Sequence, residues 1–223
     1  LRILALDTST EHCSVALLLD GQMLGRETLA KQSHSELLLP MIQQVLQEAA
    51  VKLPQLQGIA FGAGPGSFTG LRIACGVAQG LAFGADLPVA GICTLEAMAE
   101  EAGCSRVVAA IDARMGEIYQ AAYMKSGDEW VAESQPVLCS PRHAPLLPGV
   151  DWTGCGSGFD VYGEALRLRY DGCVSHVVPG IRPQASAIAR LAMRRFMNGM
   201  GIDPAEAAPI YIRNKVALKE NER

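Results

Sequence analysis

The amino-acid sequence predicts an α/β protein built from two related lobes. Short apolar strands alternate with segments of helical periodicity, the pattern of sheets flanked by crossover helices. A strand closing on aspartate, a polar turn, a second strand, another turn and a third strand occur twice, with the aspartates at Asp7 and Asp112. The length of 223 residues, 49% hydrophobic but only 5% aromatic, suffices for one large or two small cores rich in alanine and aliphatic side chains.

The elements follow in order. Residues 2–7 (RILALD) and 13–19 (CSVALLL) read as strands, and Asp20-Gly21 is a tight hairpin signal leading to a third strand over 23–29. Residues 33–51 read as an amphipathic helix with Ser33 or Ser35 as N-cap. Its apolar stripe is Leu38, Met41, Ile42, Val45, Leu46 and Ala49, and Pro40 predicts a kink in the first turns. A strand over 58–61, a helix over 69–84, a strand over 89–92 and a helix over 95–102 complete the first lobe, residues 1–103. The second lobe, 104–213, restarts with strands over 106–112, 117–123 and 130–133. Proline-rich loops, a Gly154 to Gly158 turn, and helices over 161–169 and 185–198 follow, the last ended by Gly199. Residues 214–223 are expected to pack back on the first lobe or to fray, the charged stretch from Lys215 onwards fraying.

Composition excludes several function classes. No basic-then-apolar leader precedes the first strand and no apolar run is long enough for a bilayer, so a cytoplasmic, membrane-free protein is expected. Seven widely spaced cysteines without a Cys-Xaa-Xaa-Cys pair predict reduced thiols, neither a disulfide framework nor a zinc site. The net charge is −4, carried by the first lobe, so autonomous RNA binding is not expected. Arg182, Arg190, Arg194 and Arg195 read as a solvated helix face.

The motifs that could carry chemistry are few. Asp7 and Asp112 close equivalent strands, where carboxylates could hold hydrated Mg²⁺ beside phosphate-binding amides, or could simply satisfy turn amides. Asp7 is followed by the small Thr8-Ser9-Thr10 and leaves both readings open; Asp112 is followed by the bulky Arg114 and Met115, which favours the structural one. The glycine-rich run from Gly62 to Gly70 lies between strand and helix, where anions bind. It lacks the Gly-Lys-Ser/Thr end of a P-loop and the dinucleotide register, and a tight positioning loop explains it equally well. The four histidines are scattered, with His34 expected at the surface or in an interface and not as a ligand, and no nucleophile–base–acid set is assignable.

The helix over 69–84 is built from small residues. Gly76, Gly80 and Gly84 recur every four positions, flanked by Ala74, Ala78 and Ala82. Each interior glycine costs about 1 kcal/mol relative to alanine, which predicts a face for close packing against another backbone.

Four segments, ILALDT at 3–8, GPGSFTGLR at 64–72, AIDARMGE at 110–117 and PIYIR at 209–213, together resemble the bacterial TsaB (YeaZ) proteins nearly end to end. The resemblance implies the duplicated actin/Hsp70/sugar-kinase fold. It also implies a part in making N6-threonylcarbamoyladenosine at position 37 of tRNAs that read codons beginning with A. The implied partners are the transferase TsaD, a paralogue, and the ATPase TsaE, with tRNA met only through the complex and a homodimer expected when TsaD is absent. TsaD-like enzymes carry His-Leu-Glu-Gly/Ala-His, whose histidines bind the catalytic metal; here the stretch is Thr94-Leu95-Glu96-Ala97-Met98. Threonine and methionine do not replace paired imidazoles, so the resemblance implies a scaffold without catalytic, metal or cofactor residues. The implied partner surface is the helix pair 33–51 and 69–84, through Leu38, Met41, Ile42, Val45, Thr69, Ile73, Gly76, Val77, Gly80 and Gly84. The rival expectation is an enzyme of the same fold: a phosphotransferase or carbamoyltransferase holding Mg²⁺-nucleotide on Asp7 and Asp112, or a glycoprotease-like peptidase.

Overall fold

Strand β1 (Arg2–Asp7) sits at the centre of the first sheet, buried on both faces beyond Arg2. It pairs antiparallel with β2 (His12–Leu19), which pairs antiparallel with β3 (Gln22–Leu29). On its other edge it pairs in parallel with β4 (Gly58–Gly64), which pairs in parallel with β5 (Val89–Cys93). The order is β3-β2-β1-β4-β5. The second sheet repeats this arrangement with β6 (Arg106–Arg114), β7 (Glu117–Ser126), β8 (Glu129–Cys139), β9 (Trp152–Cys155) and β10 (Val174–Val178) in the order β10-β9-β6-β7-β8. Antiparallel and parallel pairings match strand for strand. The chain is thus a duplicated α/β fold of the actin and sugar-kinase kind; the computed structural model describes residues 1–212.

Strand alternation distributes the core. Leu4, Leu6, Val15 and Leu17 point to one face of the first sheet, where α1 (His34–Glu48) and α2 (Phe68–Ala85) cover them. Ile3, Ala5, Ala16 and Leu18 point to the other face, covered by α5 (Ala185–Met197) through Ala185, Ile188, Ala189 and Ala192. Helix α3 (Thr94–Ala102) lies beside α5 and packs Leu95, Met98 and Ala99 onto Val107, Ala109 and Ala121 of the second sheet. Helix α4 (Ser157–Arg169) covers the far face through Phe159 and Leu166, with Trp152 and Tyr170. The layers are therefore α1/α2, first sheet, α3/α5, second sheet, α4.

Several expectations are corrected. Helix α5 follows the second sheet in sequence but belongs to the core of the first, so the boundary at residue 103 does not separate the two packing units. Helix α1 runs unbroken through Pro40, which sits on its exposed side, where water can take up the Glu36 carbonyl left without its donor. Ser33 holds the N-cap position with no side-chain bond. His34 is buried, not superficial, and its Nε2 lies 2.8 Å from the Thr10 carbonyl oxygen. Residues 154–155 belong to a short strand, and α4 starts at Ser157 with a short stretch that ends in a kink at Tyr162 (φ −120°, ψ 28°) ahead of the helix that the periodicity predicts. The expectation for residues 214–223 lies outside the described residues.

Candidate functional site

The glycine-rich turn and the β1–β2 turn pack into each other. Thr8 Oγ1 donates to the Gly70 carbonyl at 2.6 Å, and Ser67 N donates to the Ser9 carbonyl at 2.7 Å. Ser67 caps α2, its Oγ accepting from Gly70 N at 3.3 Å. A Cβ on Gly70 would land on the Thr8 carbonyl oxygen, and one on Gly66 would lie 2.6 Å from the Ser9 carbonyl oxygen. These glycines permit two backbones to touch. The positioning-loop reading of the glycine run is the one the geometry favours.

Asp7 lies beneath this contact, fully buried. Its Oδ1 accepts from Ser9 N at 3.1 Å and Ser9 Oγ at 2.9 Å. Its Oδ2 has no hydrogen-bond partner among the described residues and packs against the Gly62 backbone, with the Ile188 side chain nearby. Burial pushes the carboxyl up to about 6; the two Ser9 hydrogen bonds pull the other way, and the Glu27 charge adds a small push upward. A Mg²⁺-binding carboxylate faces water and shares the ion with a hydration shell. Gly62 packs so closely on Oδ2 that a methyl group there would collide with it. The surroundings of Asp7 do not fit that ion.

Asp112 is engaged locally. Oδ1 accepts from Arg114 N at 2.8 Å and Tyr162 Oη at 3.2 Å, while Oδ2 pairs with Arg114 Nη1 at 3.0 Å. Its amide donates to Ser157 Oγ at 3.0 Å. The carboxylate holds a hairpin in which Arg114 and Met115 both adopt positive φ (63° and 58°), a conformation costly for residues with side chains. Asp7 and Asp112 are equivalent in topology and different in use.

Thr94 and Met98 are both completely buried one turn apart on α3. Thr94 Oγ1 donates to the Pro65 carbonyl at 2.5 Å, tying α3 to the glycine turn. Met98 packs beside Gly156, where a Cβ would strike its Cε. Among the described residues no three His, Cys, Asp or Glu side chains converge on a metal position. The seven cysteines are free; burial pushes Cys13 up to about 11 and Cys155 up to about 12, which makes them unreactive. An open cleft of about 510 Å³ between α3, α5 and β8 is lined by Glu96, Arg195, Tyr123 and Trp130, with Arg195 Nη2 3.8 Å from Glu96 Oε2.

The expected helix surface divides in two. Leu38, Met41, Ile42 and Val45 are buried against the first sheet, so the bulky stripe of α1 builds the chain's own core and is not available to a partner. Thr69, Gly76, Gly80 and Gly84 face outward on α2, with Ile73 and Val77 half-buried beside them. Space outside the three glycines is open, whereas Ala74, Ala78 and Ala82 face the sheet. Sequence reasoning missed the bulky exposed residues on and beside α2: Phe83 (81% exposed), and Phe68 with Arg72 and Tyr211. A phenylalanine and an arginine four residues apart on a helix of small residues were the available signal; the approach of Tyr211 from the far end of the chain was not.

Two sheets of identical topology, with the second aspartate locked in a hairpin and the first sealed in the core, define a duplicated α/β protein of the actin-like class. Residues 28–148 match the family model "TsaD: tRNA N6-adenosine threonylcarbamoyltransferase". The tRNA threonylcarbamoyladenosine biosynthesis protein TsaB of Escherichia coli K12 is 39% identical over 99% of this chain and 98% of its own. The Haemophilus influenzae protein of the same name is also 39% identical, over 99% and 97%. The solved structure of YeaZ from Pseudomonas aeruginosa superposes with a TM-score of 0.87 at 39% identity, covering 94% of this chain and 99% of that one. The chain belongs to the TsaB (YeaZ) family of tRNA threonylcarbamoyladenosine biosynthesis proteins.

Proposed function

We propose that the chain is a non-catalytic scaffold that binds and activates the TsaD transferase in threonylcarbamoyladenosine synthesis, working with TsaE in the cytoplasm and meeting tRNA only through the complex. The observation that carries the reading is the outward face of α2. Three glycines and two half-buried β-branched residues lie open on a helix whose other side is packed. Interior glycines without a local packing reason are explained by a partner helix that approaches closely. The same face supports a homodimer when the transferase is absent. Loss of catalysis is supported by the uses found for Thr94 and Met98, which tie elements together where a metal would need imidazoles, and by the sealing of Asp7.

The test mixes the chain with its cognate TsaD under size-exclusion chromatography with light scattering. Wild type is expected to pass from homodimer to heterodimer, and Gly80→Leu to stay alone while remaining folded with a cooperative melt. A Gly80→Leu chain that still co-elutes removes the proposed surface. The enzyme reading makes a different prediction: Mg²⁺-ATP at 100 times its Kd would add about 2.7 kcal/mol to the stability of the isolated chain. We expect no shift, any nucleotide being held only where the complex forms.

A further inference from the structure

Arg72 occupies an unusual position at the upper end of the α2 face. Its guanidinium carbon lies 3.4 Å from the centroid of the Phe68 ring and 5.5 Å from that of Tyr211. The two rings are 5.6 Å apart and inclined by 43°. Phe68 comes from the first turn of α2, and Tyr211 from the terminal segment. That segment is tied down by Ile210 N donating to the Ala63 carbonyl at 2.7 Å, and by Gln79 Nε2 donating to Pro204 and Ala207 carbonyls at 3.0 and 3.2 Å. Two separate stretches of chain are thus brought together around one cation.

Among the described residues that cation meets no carboxylate. Arg182 closes on Glu27, Arg190 on Glu100 and Glu101, and Arg114 on Asp112. Among the described residues Arg72 makes no ion pair, and its guanidinium donates no hydrogen bond. Stacking holds a guanidinium by its faces and leaves its five N–H donors at the edges. An arginine ordinarily loses about 2 kcal/mol of rotamer entropy when fixed, and part of that loss is already met here in the free chain. Aromatic and arginine side chains ordered in advance are the usual anchors of protein interfaces.

We infer that Arg72, held by Phe68 and Tyr211, is the charged anchor of the α2 face and takes an aspartate or glutamate of the docked protein in a bidentate pair. The inference rests on the docking reading above and adds what the partner must present. A carboxylate is favoured over RNA for two reasons. The near face of the Phe68 ring is already covered by the guanidinium, so the group is not an open platform for stacked bases. One turn further on, the floor is Gly76, Val77 and Gly80, apolar and uncharged, so no basic track continues for a phosphate backbone. A helix lying on that floor would exclude water from Arg72, where a charge pair is strongest.

The test is the affinity for cognate TsaD, measured by titration calorimetry at low and high salt for wild type, Arg72→Gln, Arg72→Met and Arg72→Lys, with Gly80→Leu as the surface control. Thermal melts of each variant check the fold, which is expected to hold because Arg72 is exposed. The expected result is weakening of about ten- to a hundredfold for Gln and Met, partial recovery for Lys, and a shallower salt dependence once the charge is gone. Binding by Arg72→Gln at wild-type strength, with Gly80→Leu inactive, overturns the anchor and leaves the docking face standing. Binding by Arg72→Met at wild-type strength with Arg72→Gln weak shows packing instead of charge and also overturns it. Unaltered TsaD binding together with weakened tRNA binding assigns the group to RNA and overturns it. A wild-type chain that forms no complex overturns the docking reading and the anchor with it.

Discussion

At the scale of the residue, Asp7 shows how one carboxyl group can be retained while its surroundings change. Its Oδ1 is satisfied by Ser9, but Oδ2 has no hydrogen-bond partner among the described residues and packs against Gly62, and burial holds the group up at about 6. A carboxyl raised in the folded state binds its proton more tightly there than in the unfolded chain. Its contribution is therefore fully present below the unfolded value near 4 and is lost as pH rises through about 6. The whole span corresponds to roughly 3 kcal/mol, falling mainly between pH 4 and 6.5. Asp7→Asn retains an oxygen for Ser9 and cannot ionise. Urea melts from pH 4 to 7.5 are expected to show wild type losing stability relative to Asp7→Asn as pH rises. A constant difference across that range would mean that Asp7 is ionised and solvated in the native protein, which would restore it as a candidate ligand for a cation. Sequence left the role of this residue open because Thr8-Ser9-Thr10 suits a phosphate turn and a packed turn equally. What decides it is the Gly62 backbone, more than fifty residues away.

At the scale of the element, the glycines of the β4–α2 unit fall into two groups that a sequence pattern does not separate. Gly66 and Gly70 are required by the chain itself, since side chains there would meet the Ser9 and Thr8 carbonyls. Gly76, Gly80 and Gly84 meet nothing within the described chain. Gly70→Ala forces backbone against backbone and is expected to lower stability by about 2–4 kcal/mol. Gly80→Ala fills open space in a helix interior and is expected to stabilise the isolated monomer by up to about 1 kcal/mol while weakening its association. Chemical melts at dilute concentration, paired with light scattering at high concentration, read the two effects separately; Gly80→Ala that strengthens association would contradict the close-approach reading. The helical period of α1 and α2 was legible to within about a residue at most ends, because both helices have one strongly apolar face. What that face does was not legible. The stripe Leu38, Met41, Ile42 and Val45 is equally suited to a partner and to the chain's own sheet, and the sheet takes it. Strand β10 escaped notice because Ser175, His176 and Val177 are exposed and its burial shows no alternation.

At the scale of the whole molecule, the duplication is in topology while the packing is shared. Helix α5 closes the first sheet although some eighty residues of the second lobe precede it, and such a return leaves no local mark in the sequence. Glu100 shows the consequence. Its carboxylate accepts from Trp130 Nε1 at 2.8 Å and Arg190 Nε at 3.1 Å, and Lys125 Nζ lies 3.5 Å away. Burial pushes this carboxyl up, but those three donors outweigh it and hold it below its ordinary range. One side chain on α3 thus joins α5 to β7 and β8. If the lobes are bound in this way, a cavity in the α5 layer should weaken both sheets together. Ile188 is fully buried on the first-sheet side, and Ile188→Ala is expected to cost about 2–4 kcal/mol. Trp152 is buried on the far side of the second sheet, beyond α3 and α5, so the part of the fluorescence that a Trp152→Phe control removes reports that distant core, with the Trp130–Glu100 bond left in place. Fluorescence and far-ultraviolet circular dichroism are expected to give coincident transitions, both lowered by Ile188→Ala. A Trp152 transition that stays at the wild-type temperature while the dichroism splits would show that the lobes unfold as independent halves. A coincident shift would mean that the α2 face is carried by a single cooperative body, in which binding energy gained at α2 stabilises the second lobe as well as the first.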